Sequence, residues 1–299
     1  MRKEIIENLI YVRYSQLLIN EKIKEKKFKI PIHLALGHEA IATAVAYNFS
    51  VNDNIILTHR NLHYNLAIIK DYNSIMQEFS LKKSGLANGK LGSMNLCSPR
   101  NKVVYTSSIL GNPLPVSVGV ALSEKNKSSN TFVVTGDGAM EEGSLYESII
   151  VANSLDISLT IIVENNQWSM YTPIEQRRKQ IKIKQMADGL GVKYFFLNSN
   201  DTFEYCDKIR KIKKICIDEK KVCIIEVDLR TLGDWEVKEP DMKKRLINYH
   251  HGGAPKIEIK NSLIINKNKW DPLFRVFSKE LAIEIDKFMK KKFSCDKYT

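Results

Sequence analysis

The chain has 299 residues, 43% of them hydrophobic, with 46 Lys and Arg against 34 Asp and Glu. That composition supplies a full α/β core in one large domain or two small ones. The net charge of +12 does not point to nucleic acid, because the lysines are spread over helical stretches such as Glu21 to Lys29 and Lys208 to Lys221 and alternate with acids, the pattern of solvated faces.

From residue 1 to 30 the pattern reads as an N-terminal helix, with Ile6, Ile10, Tyr14 and Leu17 on one face and Met1-Arg2-Lys3-Glu4 ahead of it, neither a signal peptide nor a membrane span. Pro31 leads to a turn over His33 to Glu39 and a helix over Ala40 to Tyr47. Ile55-Ile56-Leu57 is a short buried strand that ends at Thr58-His59-Arg60, and Asn65 to Leu81 is mixed helix. Lys82 to Asn112 is rich in Gly, Ser and Asn and reads as one long loop, a feature that compact domains usually keep for function. Pro115 to Ser123 is a helix of small residues, Val222 to Leu229 a strand, and the segment after it is irregular to Pro240. Residues 240–299 read as a helical extension closed by an amphipathic helix over Asp271 to Lys290, with Lys290-Lys291-Lys292 as a basic face suited at most to an acidic partner surface. Neither a repeat nor a low-complexity linker interrupts the chain, so a single domain is expected over 1–299. Cys97, Cys206, Cys216, Cys223 and Cys295 are odd in number and lack metal-ligand spacing, which fits reduced thiols in a cytoplasm.

The chemistry concentrates between Thr131 and Pro173. Phe132-Val133-Val134-Thr135 runs into Gly136-Asp137-Gly138, a buried strand followed by a turn whose glycines let backbone amides approach an anion. The 26 residues between Gly138 and Asn165 hold a helix over Glu141 to Ala152, a turn near Asn153 to Asp156 and a second strand over Leu159 to Val163. Such a βαβ unit sets two parallel strand ends side by side. Asp137 and Asn166 then meet around one hard cation, Mg²⁺ or Ca²⁺, whose shell phosphate oxygens complete. The helix after Gly138 aims its free amides at the same place. Glu141 and Glu142 offset the dipole of that helix.

Gly136-Asp137-Gly138 with Asn165-Asn166 resembles the thiamine-diphosphate signature, and the chain from about Ile5 to Glu239 resembles the alpha subunit of the 2-oxo acid dehydrogenase first component. His33-Leu34-Ala35-Leu36-Gly37-His38-Glu39-Ala40 is similar to that family's His-Leu-x-x-Gly-Gln-Glu-Ala, Gly89 to Asn95 to its Gly-x-Gly-Gly-Ser-Met-His, and Ile109 to Pro115 to its Ile-Val-Gly-x-x-x-Pro. The resemblance implies a doubly wound parallel α/β sheet flanked by helices and the cofactors thiamine diphosphate and Mg²⁺. By the same resemblance Gly136, Asp137, Gly138, Ala139 and Asn166 bind the cofactor, and the main-chain carbonyl of Trp168 joins Asp137 and Asn166 on the metal. Arg60 would fork onto the diphosphate with His59 beside it, Leu110 and Gly111 would meet the aminopyrimidine through their backbone, and His33 and His63 are the candidate catalytic imidazoles. The reaction implied is formation of an enamine from a 2-oxo acid or ketose. The Glu that polarises the pyrimidine belongs in this family to a separate beta chain, which implies an α2β2 assembly.

Two departures bear on the acceptor. Leu62 stands two residues after Arg60, where the family has His, and His63 comes one later. Arg230-Thr231-Leu232-Gly233-Asp234-Trp235 replaces the family's Arg-x-His-Gly-His-Ser, so both loop histidines that in the family assist decarboxylation and acyl transfer to a lipoyl arm are missing, and Asp234 is expected near the cofactor phosphates. An alternative resemblance is to the first half of a split transketolase, through Glu142-Gly143-Ser144-Leu145-Tyr146-Glu147.

Overall fold

The computed structural model describes residues 2–238, 244–247, 252–260, 263–264 and 270–276. In chain order these form α1 (Arg2–Lys24), α2 (Glu39–Asn48), β1 (Asn54–Thr58), α3 (Leu62–Ile69), α4 (Tyr72–Phe79), β2 (Val103–Ser107), α5 (Pro113–Ser123), β3 (Thr131–Gly136), α6 (Gly143–Ser154) and β4 (Leu159–Asn165). Then follow β5 (Trp168–Ser169), β6 (Thr172–Pro173), α7 (Ile174–Arg177), α8 (Ile183–Gly189), β7 (Lys193–Leu197), α9 (Thr202–Glu219) and β8 (Val222–Asp228). Beyond these lie β9 (Trp235–Lys238), β10 (Lys244–Ile247), β11 (Ile259–Lys260), β12 (Leu263–Ile264) and α10 (Pro272–Val276).

Six parallel strands make the central sheet in the order β2-β1-β3-β4-β8-β7. Alternation along each strand divides the apolar side chains between two faces, as a pleat requires. Ile55, Leu57, Phe132, Val134 and Ile225 pack with α1, α2, α3, α4 and α9, while Ile56, Val133, Ile161, Val163 and Ile224 pack with α5, α6 and α8. The sheet is therefore doubly wound, as expected. From β1 the chain passes to β2 on one side and then to β3 on the other, so a topological switch point lies between β1 and β3. In open α/β sheets this is where a crevice opens at the carboxyl ends of the strands.

The expected β3-α6-β4 crossover is present, and its register pairs Gly136 with Glu164. Some elements differ from the sequence expectation. Lys82 to Asn112 is not one loop, because β2 lies inside it as the edge strand beside β1. Its pattern of one fully buried residue followed by two half-buried ones lacks the apolar run that marks an interior strand. Ahead of β2 the chain wraps around buried Glu78, whose carboxylate accepts from the amides of Ala87, Gly89, Leu91 and Gly92. The helical reading of Glu21 to Lys29 holds only to Lys24. Helix α1 is buried on more than the predicted stripe, because Ile5, Leu9, Val12 and Ile19 are buried as well, and Leu9 packs with Ile10 against Leu273 of α10. The described part of 240–299 is not wholly helical: β10 pairs with β9 and β11 with β12 in short antiparallel ladders. Of the helix expected over Asp271 to Lys290, α10 is described, and the remainder, with Lys290 to Lys292, lies outside the described residues.

A buried ion cluster ties the N-terminal helix to α2 and to the segment ahead of α10. Arg13 donates to both carboxylate oxygens of Glu39 at 2.7 and 3.0 Å and to both of Asp271 at 2.9 Å, and all three side chains are fully shielded from solvent. Burial alone would lower the Arg13 pKa, but the two carboxylates hold it above its ordinary value. Glu39 also accepts from the amide of Gly37 at 2.7 Å. The cluster therefore braces the turn that carries His33 and His38.

Among the described residues, no helix is long and apolar enough to cross a membrane.

Candidate functional site

A cleft of about 230 Å³ opens at the switch point, lined from the ends of β1, β3 and β4 and from the stretch after β2. From β1 come Thr58, His59 and Arg60, and from β3 Thr135, Gly136, Asp137, Gly138 and Ala139. Strand β4 and the hairpin after it supply Glu164, Asn166, Trp168, Ser169 and Met170, while His33, Met94, Ser108 and Leu110 close the remaining sides. The three predicted metal residues and all predicted cofactor-binding residues but Gly111 thus share one cleft. Gly111 sits directly behind, with φ +77° and no room for a side chain: a Cβ there would lie 2.7 Å from Ser144 Oγ.

Local chemistry explains how the strand ends are held. The Glu164 carbonyl accepts from the amides of Asp137 at 3.3 Å and Asn166 at 3.2 Å, so both candidate metal ligands hang from one peptide group. The turn after β1 is pinned by Asn61, whose side-chain amide donates to the carbonyls of Thr58, His59 and Ser93. Arg60 is thereby presented, 2% exposed, at the floor of the cleft. Burial lowers its pKa to about 9 against the pull of Glu164. Gly138 lets the β5-β6 hairpin lie on the β3 turn, since a Cβ there would stand 2.9 Å from Ser169 Oγ.

His63, expected with His33 as a catalytic imidazole, is not among the residues that line the cleft. It lies fully buried beneath the cleft and donates through Nε2 to Glu164 Oε1 at 2.8 Å. His38 donates through Nδ1 to Glu164 Oε2 at 3.0 Å, and its Nε2 accepts from the Thr231 hydroxyl at 3.0 Å, tautomers assigned from this network. Tyr64 adds a third donor at 3.1 Å. Burial alone would raise the Glu164 carboxyl, but His63 and His38 outweigh it and hold the carboxylate well below its usual range. Glu164 and His38 were in view only as parts of motifs, and nothing in the sequence paired them.

His33 and His59 face each other edge to face in the cleft, ring centroids 5.1 Å apart. The Arg230 to Trp235 loop is elsewhere: Leu232 is buried and donates its amide to Leu36 O at 2.8 Å, and Arg230 pairs with Asp228 and stacks 4.6 Å over Trp270. Asp234 exchanges backbone hydrogen bonds with Lys256 and is not among the residues that line the cleft.

Asp137 is 2% exposed and its pKa is raised to about 6, chiefly by burial, with Arg177 and Arg178 opposing. Arg177 Nη2 donates to Asp137 Oδ2 at 2.8 Å, and Arg178 Nη2 to the Asp137 carbonyl at 3.1 Å. Both arginines also reach Glu141. The sequence offered no signal for this pair. A carboxylate, a side-chain amide and a backbone carbonyl form the hard oxygen set that suits Mg²⁺, and Arg60 suits a phosphate. The residues present therefore fit a divalent cation bridged to a diphosphate, and Met94, Leu110 and Met170 offer an apolar wall to a ring.

The imidazoles give the fold a pH signature. Burial lowers the His38 pKa below its ordinary 6.5, and burial with the neighbouring Arg60 takes His59 to about 4. A group with a lowered imidazole pKa gains its proton more readily on unfolding, so the His59 contribution is full above about pH 6.5 and is lost as pH falls toward 4, at about 1.4 kcal/mol per pH unit, and His38 acts in the same direction. Asp137, raised to about 6, works in the opposite sense between 6 and 3.8, leaving two imidazoles against one carboxyl. The unfolding midpoint is expected to fall between about pH 7 and about pH 5, with a shallower slope in His38→Gln. A midpoint that stays level or rises over that range removes the neutral-imidazole assignment.

Fold and site together define an α/β protein with a cleft at the switch point of a parallel sheet, its lining suited to an anionic ligand with a cation. By sequence, the chain belongs to the dehydrogenase E1 component family, whose description matches residues 9–273. It is 27% identical over 197 residues to the pyruvate dehydrogenase E1 component subunit alpha of Rickettsia bellii, covering 65% of this chain and 60% of that protein. To the mitochondrial pyruvate dehydrogenase E1 component subunit alpha of Saccharomyces cerevisiae it is 24% identical over 242 residues, covering 79% of this chain and 56% of that one. The chain thus spans little more than half the length of these relatives. Among solved structures, transketolase from Leishmania mexicana superposes with a TM-score of 0.63 at 15% identity, over 98% of this chain and 47% of that one. Transketolase from Campylobacter jejuni gives 0.58 at 15%, over 98% and 48%. These two share the fold.

Proposed function

We propose that the chain is a single-domain, alpha-type subunit of a two-subunit thiamine-diphosphate-dependent enzyme of the 2-oxo acid dehydrogenase first-component class, with Mg²⁺ as its metal. The observation that carries this reading is the joint between adjacent parallel strands, where Asp137 and Asn166 open on the same cleft as Arg60. Thiamine diphosphate, when bound, supplies a carbon nucleophile for a substrate carbonyl and accepts the electron pair that decarboxylation leaves. The protein's part is position and electrostatics. Asp137, Asn166 and the Trp168 carbonyl hold the cation, and Arg60 orients the phosphates. His59, neutral beside Arg60, donates a hydrogen bond without adding charge, and His33 faces the substrate as a proton carrier. Leu110 and Met94 keep water from the ring.

The carboxylate that polarises the pyrimidine is assigned to a beta-type partner, with α2β2 as the assembly. For the acceptor, the Arg230 to Trp235 loop carries no imidazole and packs against the Leu36 turn, which favours transfer to an aldehyde or to water over transfer to a lipoyl arm. The test is co-expression with the adjacent open reading frame and an assay of 2-oxo acid decarboxylation against ketol transfer from a ketose, each with a lipoylated domain or an aldehyde supplied. Decarboxylation by the pair alone, with the fragment passed to the aldehyde or to water, is expected. Turnover by this chain unaided overturns the partner assignment, efficient reductive acylation of the lipoyl group overturns the acceptor, and ketose turnover moves the chain to the transketolase side.

A further inference from the structure

Asp137 already has a cation, and it is not a metal. Its carboxylate is 2% exposed, and Arg177 bonds to it at 2.8 Å, with a side chain only 11% exposed. A buried carboxylate needs a cation within hydrogen-bond distance, because isolated charge in a low dielectric is costly. Arg177 meets that need while no divalent ion is bound. Once an ion takes the carboxylate, the guanidinium and the ion compete for one negative group, and their mutual repulsion acts across a few ångströms with little water to screen it.

The charge balance shows where Arg177 goes. A diphosphate brings more negative charge than one divalent cation cancels, and Asp137 and Glu164 add to it. Against this the cleft wall offers Arg60 as its one guanidinium among the described lining residues, while His59, with its pKa lowered to about 4, is neutral. Arg177 Nη1 lies 3.6 Å from where a Cβ of Gly138 would be, at the turn that faces the anion. A short swing therefore carries the guanidinium from Asp137 to phosphate oxygens. The segment that holds it is lightly built: β5 and β6 are two residues each and α7 is four. The same segment supplies Trp168, Ser169 and Met170 to the cleft wall.

We propose that Arg177 is a second phosphate-binding guanidinium of this site, held by Asp137 while the cation is absent and handed to the diphosphate when the cation takes the carboxylate. This rests on the cofactor reading above and deepens it, assigning a second guanidinium to the phosphates beside Arg60. It also makes cation and diphosphate binding cooperative, since each ligand frees the group the other needs.

The exchange predicts opposite signs for two ligands in one variant. Calorimetry on the 299-residue chain and on Arg177→Gln would titrate Mn²⁺ alone and then Mn²⁺ with inorganic pyrophosphate. Without its competitor, Asp137 should bind Mn²⁺ alone about fivefold more tightly, whereas the Mn²⁺-pyrophosphate complex should bind about tenfold more weakly for loss of a charge-assisted contact. If the unaltered chain binds no Mn²⁺-pyrophosphate, the cofactor reading fails and this proposal with it. If it binds and Arg177→Gln weakens both ligands, or changes neither, the cofactor reading stands and the exchange is overturned. Should Arg177→Gln not fold, Arg177→Lys keeps the charge but loses the planar fork. Weaker Mn²⁺-pyrophosphate binding with Mn²⁺ alone bound at least as tightly is then expected, and a loss of both overturns the exchange.

Discussion

Asp137→Ala is expected to lower the affinity for Mg²⁺-thiamine diphosphate by more than tenfold, that is by more than about 1.4 kcal/mol. The side chain is the one carboxylate among the proposed metal ligands, at the end of β3 where its amide is tied to Glu164. Its removal leaves an amide and a carbonyl to hold a divalent cation against its own hydration, and leaves Arg177 without its 2.8 Å partner. Arg177 is then free for the phosphates, which offsets part of the loss but cannot restore the metal bridge. Asp137→Asn keeps the shape and removes the charge, so it should fall between the two. Calorimetry on the complex with the partner chain reads the effect, and unchanged cofactor affinity in Asp137→Ala refutes the metal assignment.

The second large effect is on stability. Arg13→Ala should destabilise the fold by roughly 3–5 kcal/mol, a large share of the 5–15 kcal/mol typical of a domain. The Arg13 guanidinium is shared by Glu39 and Asp271, and all three groups are fully buried. Without it two carboxylates face each other in low dielectric with their cation gone. The loss also reaches the site, because Glu39 holds the amide of Gly37 in the turn between His33 and His38. Replacing the three together by apolar residues of similar volume should recover most of the stability, since such triads repay little more than their own desolvation. Chemical denaturation measures both, and an Arg13→Ala midpoint indistinguishable from that of the unaltered chain would show that the cluster carries no weight.

Short-range order determines the parts of this protein that its sequence made legible. The strands β1, β3, β4 and β8 announce themselves as apolar runs because both faces of a parallel sheet are buried. The Gly136-Asp137-Gly138 turn was readable because a tight approach to an anion needs residues of that kind in that order, and the spacing to Asn166 because a crossover helix has a minimum length. From these came the β3-α6-β4 unit and the meeting of Asp137 with Asn166 at its strand ends, while the doubly wound sheet and the places of Arg60, His59 and Leu110 in the site came from the family resemblance. What remained hidden involves pairs far apart in the chain. Arg177 and Asp137 are 40 residues apart, His63 and Glu164 are 101, His38 and Glu164 are 126, and Arg13 and Asp271 are 258. Periodicity places a residue on a face but does not say which residue of another element it will meet, so the burial of His63 against Glu164 could not be read from α3 alone. Edge strand β2 was missed for a related reason: it is paired on one side only, so its identity as a strand depends on β1 lying beside it. Sequence thus determined that Asp137 and Asn166 meet at two adjacent strand ends, while packing decided which charges face them, because burial makes each of those charges depend on a partner that only the tertiary fold supplies.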